Sequence, residues 1–225
     1  MSGTLFVVAT PIGNLEDLSA RAIRTLNEAD LVLAEDTRVT KKLGIKTKVI
    51  AYHQHSSEAK KLEILNYLLQ GKNLALVTDA GTPGVSDPGN ELIDFLFLRG
   101  PTLKVVPIPG PSAVTAALSV CGFNVSKYIF LGFWPKKKVT KLIELIKLTK
   151  LPIVFFESPH RIIKTLNLLI ENFGGTRRAF VAREMTKMYE TYYRGSLLEV
   201  SQQLQGLSLK GELTVVIESQ LPQVR

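Results

Sequence analysis

Cysteine, histidine and tryptophan are nearly missing from this chain of 225 residues, which has one Cys, three His and one Trp. The single Cys121 allows no intramolecular disulfide and no multi-cysteine zinc centre, and it fits a reducing cytosol. No basic residue lies between Met1 and Arg21, so a signal-peptide n-region is missing. One uncharged stretch, Val105–Ser126, is long enough to span a bilayer, but Pro107, Pro109, Pro111, Gly110 and Gly122 interrupt it. A soluble, cytoplasmic protein with no membrane partner is expected. No two glycines are separated by one residue, which removes the G-x-G-x-x-G dinucleotide fingerprint. Two glycine pairs have P-loop spacing, Gly84/Gly89 and Gly206/Gly211. They are followed by Asn90 and Glu212 instead of lysine, which removes a Walker A loop.

What is there in excess is positive charge, 28 Lys+Arg against 20 Asp+Glu, and it is one-sided. Residues 1–112 hold 12 basic and 12 acidic side chains, and residues 113–225 hold the other 16 and 8. Within the second half, Lys127, Lys136, Lys137, Lys138, Lys141, Lys147 and Lys150 face only Glu144 over residues 126–150. Such asymmetry suits either a solvated lysine surface or a face that meets a polyanion.

The apolar pattern divides the chain in the same place. Short β-branched runs at Thr4–Ala9, Leu31–Ala34, Val49–Tyr52, Asn73–Thr78 and Leu103–Pro107 read as buried strands. Helical spacing fills the intervals at Ser19–Ala29, Ser56–Gln70 and Pro88–Arg99, and follows the last strand at Pro111–Val120. Asp87 is the expected cap of the third helix, with Pro88 and Pro111 at first helical positions. This alternation predicts a parallel α/β sheet. Gly122–Lys127 reads as a hinge. Beyond it, strands are expected at Tyr128–Gly132, Pro152–Glu157, Ala179–Arg183, Thr191–Gly195 and Leu213–Glu218, with helices at Val139–Thr149 and Ser158–Asn172. That order is α+β with a mixed sheet. The expected domains are 1–116 and 117–225.

Three strand ends carry unusual turns: Thr10–Asn14, Asp79–Gly89 and Pro107–Ser112. The second has three glycines and two prolines in eleven positions. Glycine lets a ligand approach the backbone and proline fixes loop shape in advance. In a parallel sheet, ligands bind outside the carboxyl ends of the strands. Tight turns alone account for one such loop; three argue for a small-molecule site taking an extended, partly anionic ligand.

These segments also carry a resemblance. The run from Gly3 to Leu15 (GTLFVVATPIGNL) resembles the ribosomal RNA small subunit methyltransferase I family. So do Ala34–Arg38 (AEDTR), Asp79–Pro83 (DAGTP), Ser86–Gly89, Pro109–Ala113, Phe156–Arg161 and Arg183–Lys187 (REMTK). That family lies within the tetrapyrrole methylase superfamily. The resemblance implies a tetrapyrrole-methylase-like fold of two α/β domains with S-adenosylmethionine in the cleft between them. It also implies a homodimer and methylation of a cytidine 2′-hydroxyl in small-subunit ribosomal RNA, free or in the assembled subunit. The cofactor contacts it implies fall on Pro11, Ala80, Gly81, Thr82, Val85, Ser112 and Ala113, and near Glu157 and Met185. Thr82 stands where the porphyrin branch has an aspartate, so a carboxylate contact there is gone. Longer members carry a small extra C-terminal domain, which is not expected in this chain. A tetrapyrrole acceptor is the alternative within the superfamily, and a cofactor-binding RNA chaperone without catalysis is a third reading.

Methyl transfer from a sulfonium needs alignment of about 3 Å and exclusion of water more than acid–base machinery. A ribose hydroxyl is a poor nucleophile, so a base or a stabilising charge helps. Glu35, Asp36 and Arg38 follow a strand at its ligand-binding end, and Lys187, with Glu184, stands in the second half. Asp36 could equally cap a helix beginning at Thr37. His53 and His55 read as half a metal site or as a solvated turn; no metal is expected. His160 is a helix-start or cleft residue, and Cys121 a packing residue. Trp134, before Lys136–Lys138, either stacks a base or anchors a basic loop.

Overall fold

The computed structural model describes residues 2–208 and 210–219. The chain divides into two compact units, Met1–Ser112 and Ala113–Arg225. The division falls before the helix at Ala113, upstream of both the expected boundary at 116/117 and the Gly122–Lys127 segment.

In the first unit, β1 (Thr4–Val8), β2 (Leu31–Ala34), β3 (Val49–Ala51), β4 (Leu74–Val77) and β5 (Lys104–Ile108) form one sheet in the order β3-β2-β4-β1-β5. Every pairing in it is parallel. β2 and β4 are buried at every position, as strands covered on both faces must be. The helices are α1 (Ala20–Glu28), α2 (Thr37–Lys41), α3 (Glu58–Leu69) and α4 (Asn90–Arg99). Ser19 caps α1 by accepting from Ala22 N–H at 3.1 Å. β1 leads to β2 on one side, whereas β4 leads to β5 on the other. The carboxyl ends of the adjacent β1 and β4 therefore flank the topological switch point, where open α/β sheets bind ligands.

The second unit begins with α5 (Ala113–Val120) and holds β6 (Ile129–Phe133), α6 (Val139–Thr149), β7 (Ile153–Glu157), α7 (Ile162–Phe173), β8 (Arg178–Arg183), β9 (Thr191–Ser196), α8 (Leu197–Leu204) and β10 (Leu213–Ile217). Its sheet order is β6-β7-β10-β8-β9; β6 and β7 run parallel and the remaining pairs antiparallel. This is the mixed sheet that the sequence predicts. One face of it packs Phe155, Val181, Val215 and Ile217 against Leu166 and Val200.

Three helix starts differ from expectation. α4 begins at Asn90 with Gly89 in the cap position at φ +145°, and no side chain caps it. Pro88 belongs to the preceding turn, its carbonyl accepting from Gly84 N–H at 3.2 Å. α5 begins at Ala113, two residues beyond Pro111. α7 begins at Ile162, because the Ser158 carbonyl accepts from both Arg161 and Ile162 N–H and closes a turn first.

Candidate active site

The glycine- and proline-rich loops of the first unit meet at one point. Thr10 and Gly81 pair through two backbone hydrogen bonds, N–H to carbonyl at 2.9 and 3.1 Å, which join the loop after β1 to the loop after β4. The Thr10 hydroxyl donates to the Thr78 carbonyl at 3.0 Å. A side chain built on Gly81 would lie 3.7 Å from Ile12 and 3.9 Å from the Pro111 carbonyl, so all three loops surround this glycine. Gly110 approaches Ala9 so closely that a Cβ would sit 3.0 Å from the Ala9 methyl. Gly81 and Gly84 take φ +79° and +82°, the left-handed region that L side chains enter at a cost. Asn90 holds the second loop by donating to the Gly84 carbonyl at 2.7 Å. Pro11, Gly81 and Pro83 are buried; Ala80, Thr82, Ser112 and Ala113 are half-buried, and Val85 is exposed. The Thr78 hydroxyl, buried just beyond the end of β4, has no hydrogen-bond partner among the described residues.

A charged cluster stands beside this junction. Asp79, after β4, accepts from the Asp36 backbone N–H at 3.0 Å and ties the β2 loop to the β4 loop. Burial, then the negative charge of Asp79, raises the Glu35 carboxyl above its ordinary pKa, against the opposing effects of the Asp79 backbone and His53. Asp36 behaves in the opposite way. It caps α2 by accepting from Arg38 N–H at 2.8 Å, and it grips the Arg38 guanidinium at 2.6–3.2 Å. Those bonds lower its pKa to about 2. The capping alternative for Asp36 is thus realised, and its carboxylate is committed to Arg38. Asp79 was quoted in the sequence motif without a role, because its bond to Asp36 exists only once β2 and β4 are adjacent.

The second unit places its expected residues at one end of its sheet. Leu213 pairs with Glu157 on one side and Arg183 on the other. Glu157 is buried, accepting from Thr165 at 2.6 Å and Ser158 N–H at 2.8 Å, with Arg161 at 3.4 Å. Its carboxylate serves the interior. Beyond Arg183, Glu184 and Thr186 take φ +51° and +66°, uncommon for such residues. Met185 is buried between them. Lys187 donates to Glu184 at 2.9 Å and Glu212 at 3.0 Å. Burial acts to lower its pKa, but these two bonds prevail and raise it, so Lys187 is a held cation and not a base. Gly211 makes room for this pair: a Cβ there would lie 2.2 Å from the Glu184 carboxyl.

Trp134 is buried against Phe155, ring centroids 4.7 Å apart, so its anchoring role holds and it offers no ring to a base. Lys136, Lys137 and Lys138 beside it are exposed. His53, His55 and His160 are exposed as well, and Cys121 is buried. Among the described residues, no three His, Cys, Asp or Glu side chains cluster as metal ligands do, and no helix is long and apolar enough to cross a membrane.

Comparison with known proteins gives these loops a lineage. The family Tetrapyrrole (Corrin/Porphyrin) Methylases matches residues 4–201. The methyltransferase CobJ has the same fold, with a TM-score of 0.74 at 15% identity over 97% of this chain and 95% of that one. Diphthine synthase follows at 0.68 and 16%, over 96% and 90%. Fold and family thus define a tetrapyrrole-methylase-type chain. Ribosomal RNA small subunit methyltransferase I of Thermotoga maritima is 44% identical over 220 residues, 96% of this chain and 98% of that protein. Its namesake in Halalkalibacterium halodurans is 44% identical over 222 residues, 96% of this chain and 76% of that protein. The chain belongs to the ribosomal RNA small subunit methyltransferase I family.

Proposed function

We propose that this protein is an S-adenosylmethionine-dependent methyltransferase that modifies a cytidine 2′-hydroxyl of small-subunit ribosomal RNA in the cytoplasm. The observation that carries it is the meeting of Ile12, Gly81 and Pro111 around one backbone point, next to the Glu35–Asp79 cluster. A solved relative of the fold, uroporphyrin-III C-methyl transferase of Thermus thermophilus, is complexed with S-adenosyl homocysteine, with a TM-score of 0.66 at 18% identity over 95% of this chain and 97% of that one. The loops suit such a ligand: Gly81 and Gly84 take the left-handed backbone that their shape requires, and the Thr78 hydroxyl, without a hydrogen-bond partner among the described residues, lies at their base.

Pro11, Ala80, Gly81, Thr82, Val85, Ser112 and Ala113 hold the cofactor in this reading, and the resemblance adds positions near Glu157 and Met185. When bound, S-adenosylmethionine supplies a methyl group already activated by its sulfonium charge. The chain's own task is to orient the hydroxyl and remove its proton. Glu35 is the base, since its raised pKa makes its carboxylate a better proton acceptor than Asp36. Asp36 fixes Arg38, whose exposed guanidinium remains available to phosphate. Lys187 is a fixed positive charge.

RNA is favoured over a tetrapyrrole acceptor by the 44% relatives and by the lysines at the start of α6. Lys136–Lys138 precede the positive end of that helix's dipole, and among the described residues none has an ion-pair partner. An anion would relieve that repulsion. Catalysis separates this reading from an RNA chaperone. The test is transfer of radiolabelled methyl to small ribosomal subunits from a strain lacking this enzyme, with free RNA and a tetrapyrrole as parallel acceptors. Label is expected in an RNA sample at a ribose; label in neither, or only in the tetrapyrrole, overturns the reading. A homodimer is part of the same proposal, and light scattering reads it directly.

A further inference from the structure

We propose that a notch in the second unit, lined by Cys121, Gly122, Phe123, Arg178, Arg194 and Gly195, binds a phosphate group of the RNA backbone; this rests on the RNA reading above. The notch has a volume of about 480 Å³. Register across β8 and β9 sets Arg194 opposite Phe180 and Arg178 opposite Ser196, which makes the two arginines diagonal neighbours on one face of the hairpin. Their partners differ. Arg178 lies over the Phe123 ring at 5.0 Å and donates along one edge to both carboxylate oxygens of Glu218, one bond being 2.7 Å. Arg194 lies over the Phe180 ring at 4.8 Å and donates to the Val120 carbonyl. Among the described residues it has no carboxylate partner.

The nearby Glu199 does not fill that role, because its carboxylate accepts from Ser196 N–H and hydroxyl at 2.8 and 2.9 Å in the capping box of α8. Arg194 is therefore a guanidinium fixed by a ring beneath it and by one Nη2–H bond to the Val120 carbonyl, and among the described residues no carboxylate takes its other N–H groups. A phosphate oxygen can accept from Nε or from Nη1, each as a separate charge-assisted bond on its own edge of the guanidinium. Because the side chain is already positioned, binding does not have to order it. Two further facts suit a nucleic acid: Tyr192, two residues before Arg194 on β9, is exposed, and the whole charge excess of the chain lies in this half.

Arg194→Ala, Arg194→Lys and, as a charge control elsewhere, Lys104→Ala are compared with wild type for binding to small-subunit ribosomal RNA across a salt series. Melting temperature, S-adenosylmethionine affinity and light scattering are measured in parallel. Arg194→Ala is expected to weaken RNA binding about tenfold and to reduce the slope of log affinity against log salt by about one, with cofactor affinity retained. Arg194→Lys restores the slope but not the full affinity, and Lys104→Ala changes neither. An Arg194→Ala protein that melts normally and keeps wild-type RNA affinity and slope overturns the proposal. So does a change confined to oligomeric state, which would give the face to a second copy, or Arg194-dependent binding of inorganic phosphate with RNA affinity unmoved. If wild type binds no RNA at all, the RNA reading itself fails, and this inference with it.

Discussion

A carboxyl that takes a proton from a ribose hydroxyl works best when its own pKa approaches the working pH, and Glu35 is displaced in that direction. Burial comes first among the causes and the charge of Asp79 second; Asp36 adds to the rise, whereas His53 and the Asp79 backbone oppose it. Asp79 also holds Asp36 N–H, so it positions the segment that carries Glu35. The sign of the pH dependence follows. A base acts when deprotonated, so if Glu35 is the base as proposed, activity is expected to fall as pH drops through its raised pKa. Replacing Asp79 by Asn removes a negative neighbour and lowers that pKa, so the acid limb of kcat/KM is expected at lower pH. Glu35→Gln is expected to lose about 10²- to 10⁴-fold in kcat and to abolish the limb. A pH–rate profile of both variants checks this; a limb that stays in place in Asp79→Asn assigns the titration to another group.

Elements were legible where burial alone decides them. Leu31–Ala34 as β2 and Val139–Thr149 as α6 have the same bounds in sequence and structure, because an apolar run or an amphipathic period needs no distant partner to define it. The prolines at α4 and α5 do not take the first helical position, and at α4 a local rule cannot know that Pro88 lends its carbonyl to the turn at Gly84. The ligand-side loops were legible as loops, but their junction was not: the Thr10–Gly81 pairing and the Asp36–Asp79 bond join residues far apart in sequence. One prediction belongs at this scale. In Gly84→Ala the new methyl stands 2.4 Å from Asn90 Oδ1, on a backbone at φ +82°. The Asn90 bond that shapes the loop must move, and the left-handed backbone alone costs about 1–2 kcal/mol. A lower melting temperature with a disproportionate loss of cofactor affinity by calorimetry is expected. Unchanged cofactor affinity would show that this loop shape does not serve the ligand.

At the scale of the molecule, the charge asymmetry coincides with the division into units. The unit ending at Ser112 is balanced, and the one beginning at Ala113 carries the +8. Trp134 changes how the lysine cluster is read. With its ring in the core it anchors the loop, and its carbonyl and that of Pro135 accept from Arg161 at 3.1 and 3.0 Å. Lys136–Lys138 thus stand on a fixed support at the start of α6, where like charges and the helix dipole repel one another. A merely solubilising surface has no need to place three lysines where each is worth least to stability; a phosphate-binding face gains from it. Reversing all three to Glu is expected to leave the melting temperature unchanged or slightly raised, since negative charge suits that helix end. The same change is expected to weaken binding to small-subunit RNA by orders of magnitude at low salt and to flatten its salt dependence. Cofactor affinity should stay at the wild-type value, because the loops around Gly81 lie in the balanced unit. Filter binding across a salt series together with calorimetry decides it: RNA affinity that survives the reversal returns these lysines to an ordinary solvated surface.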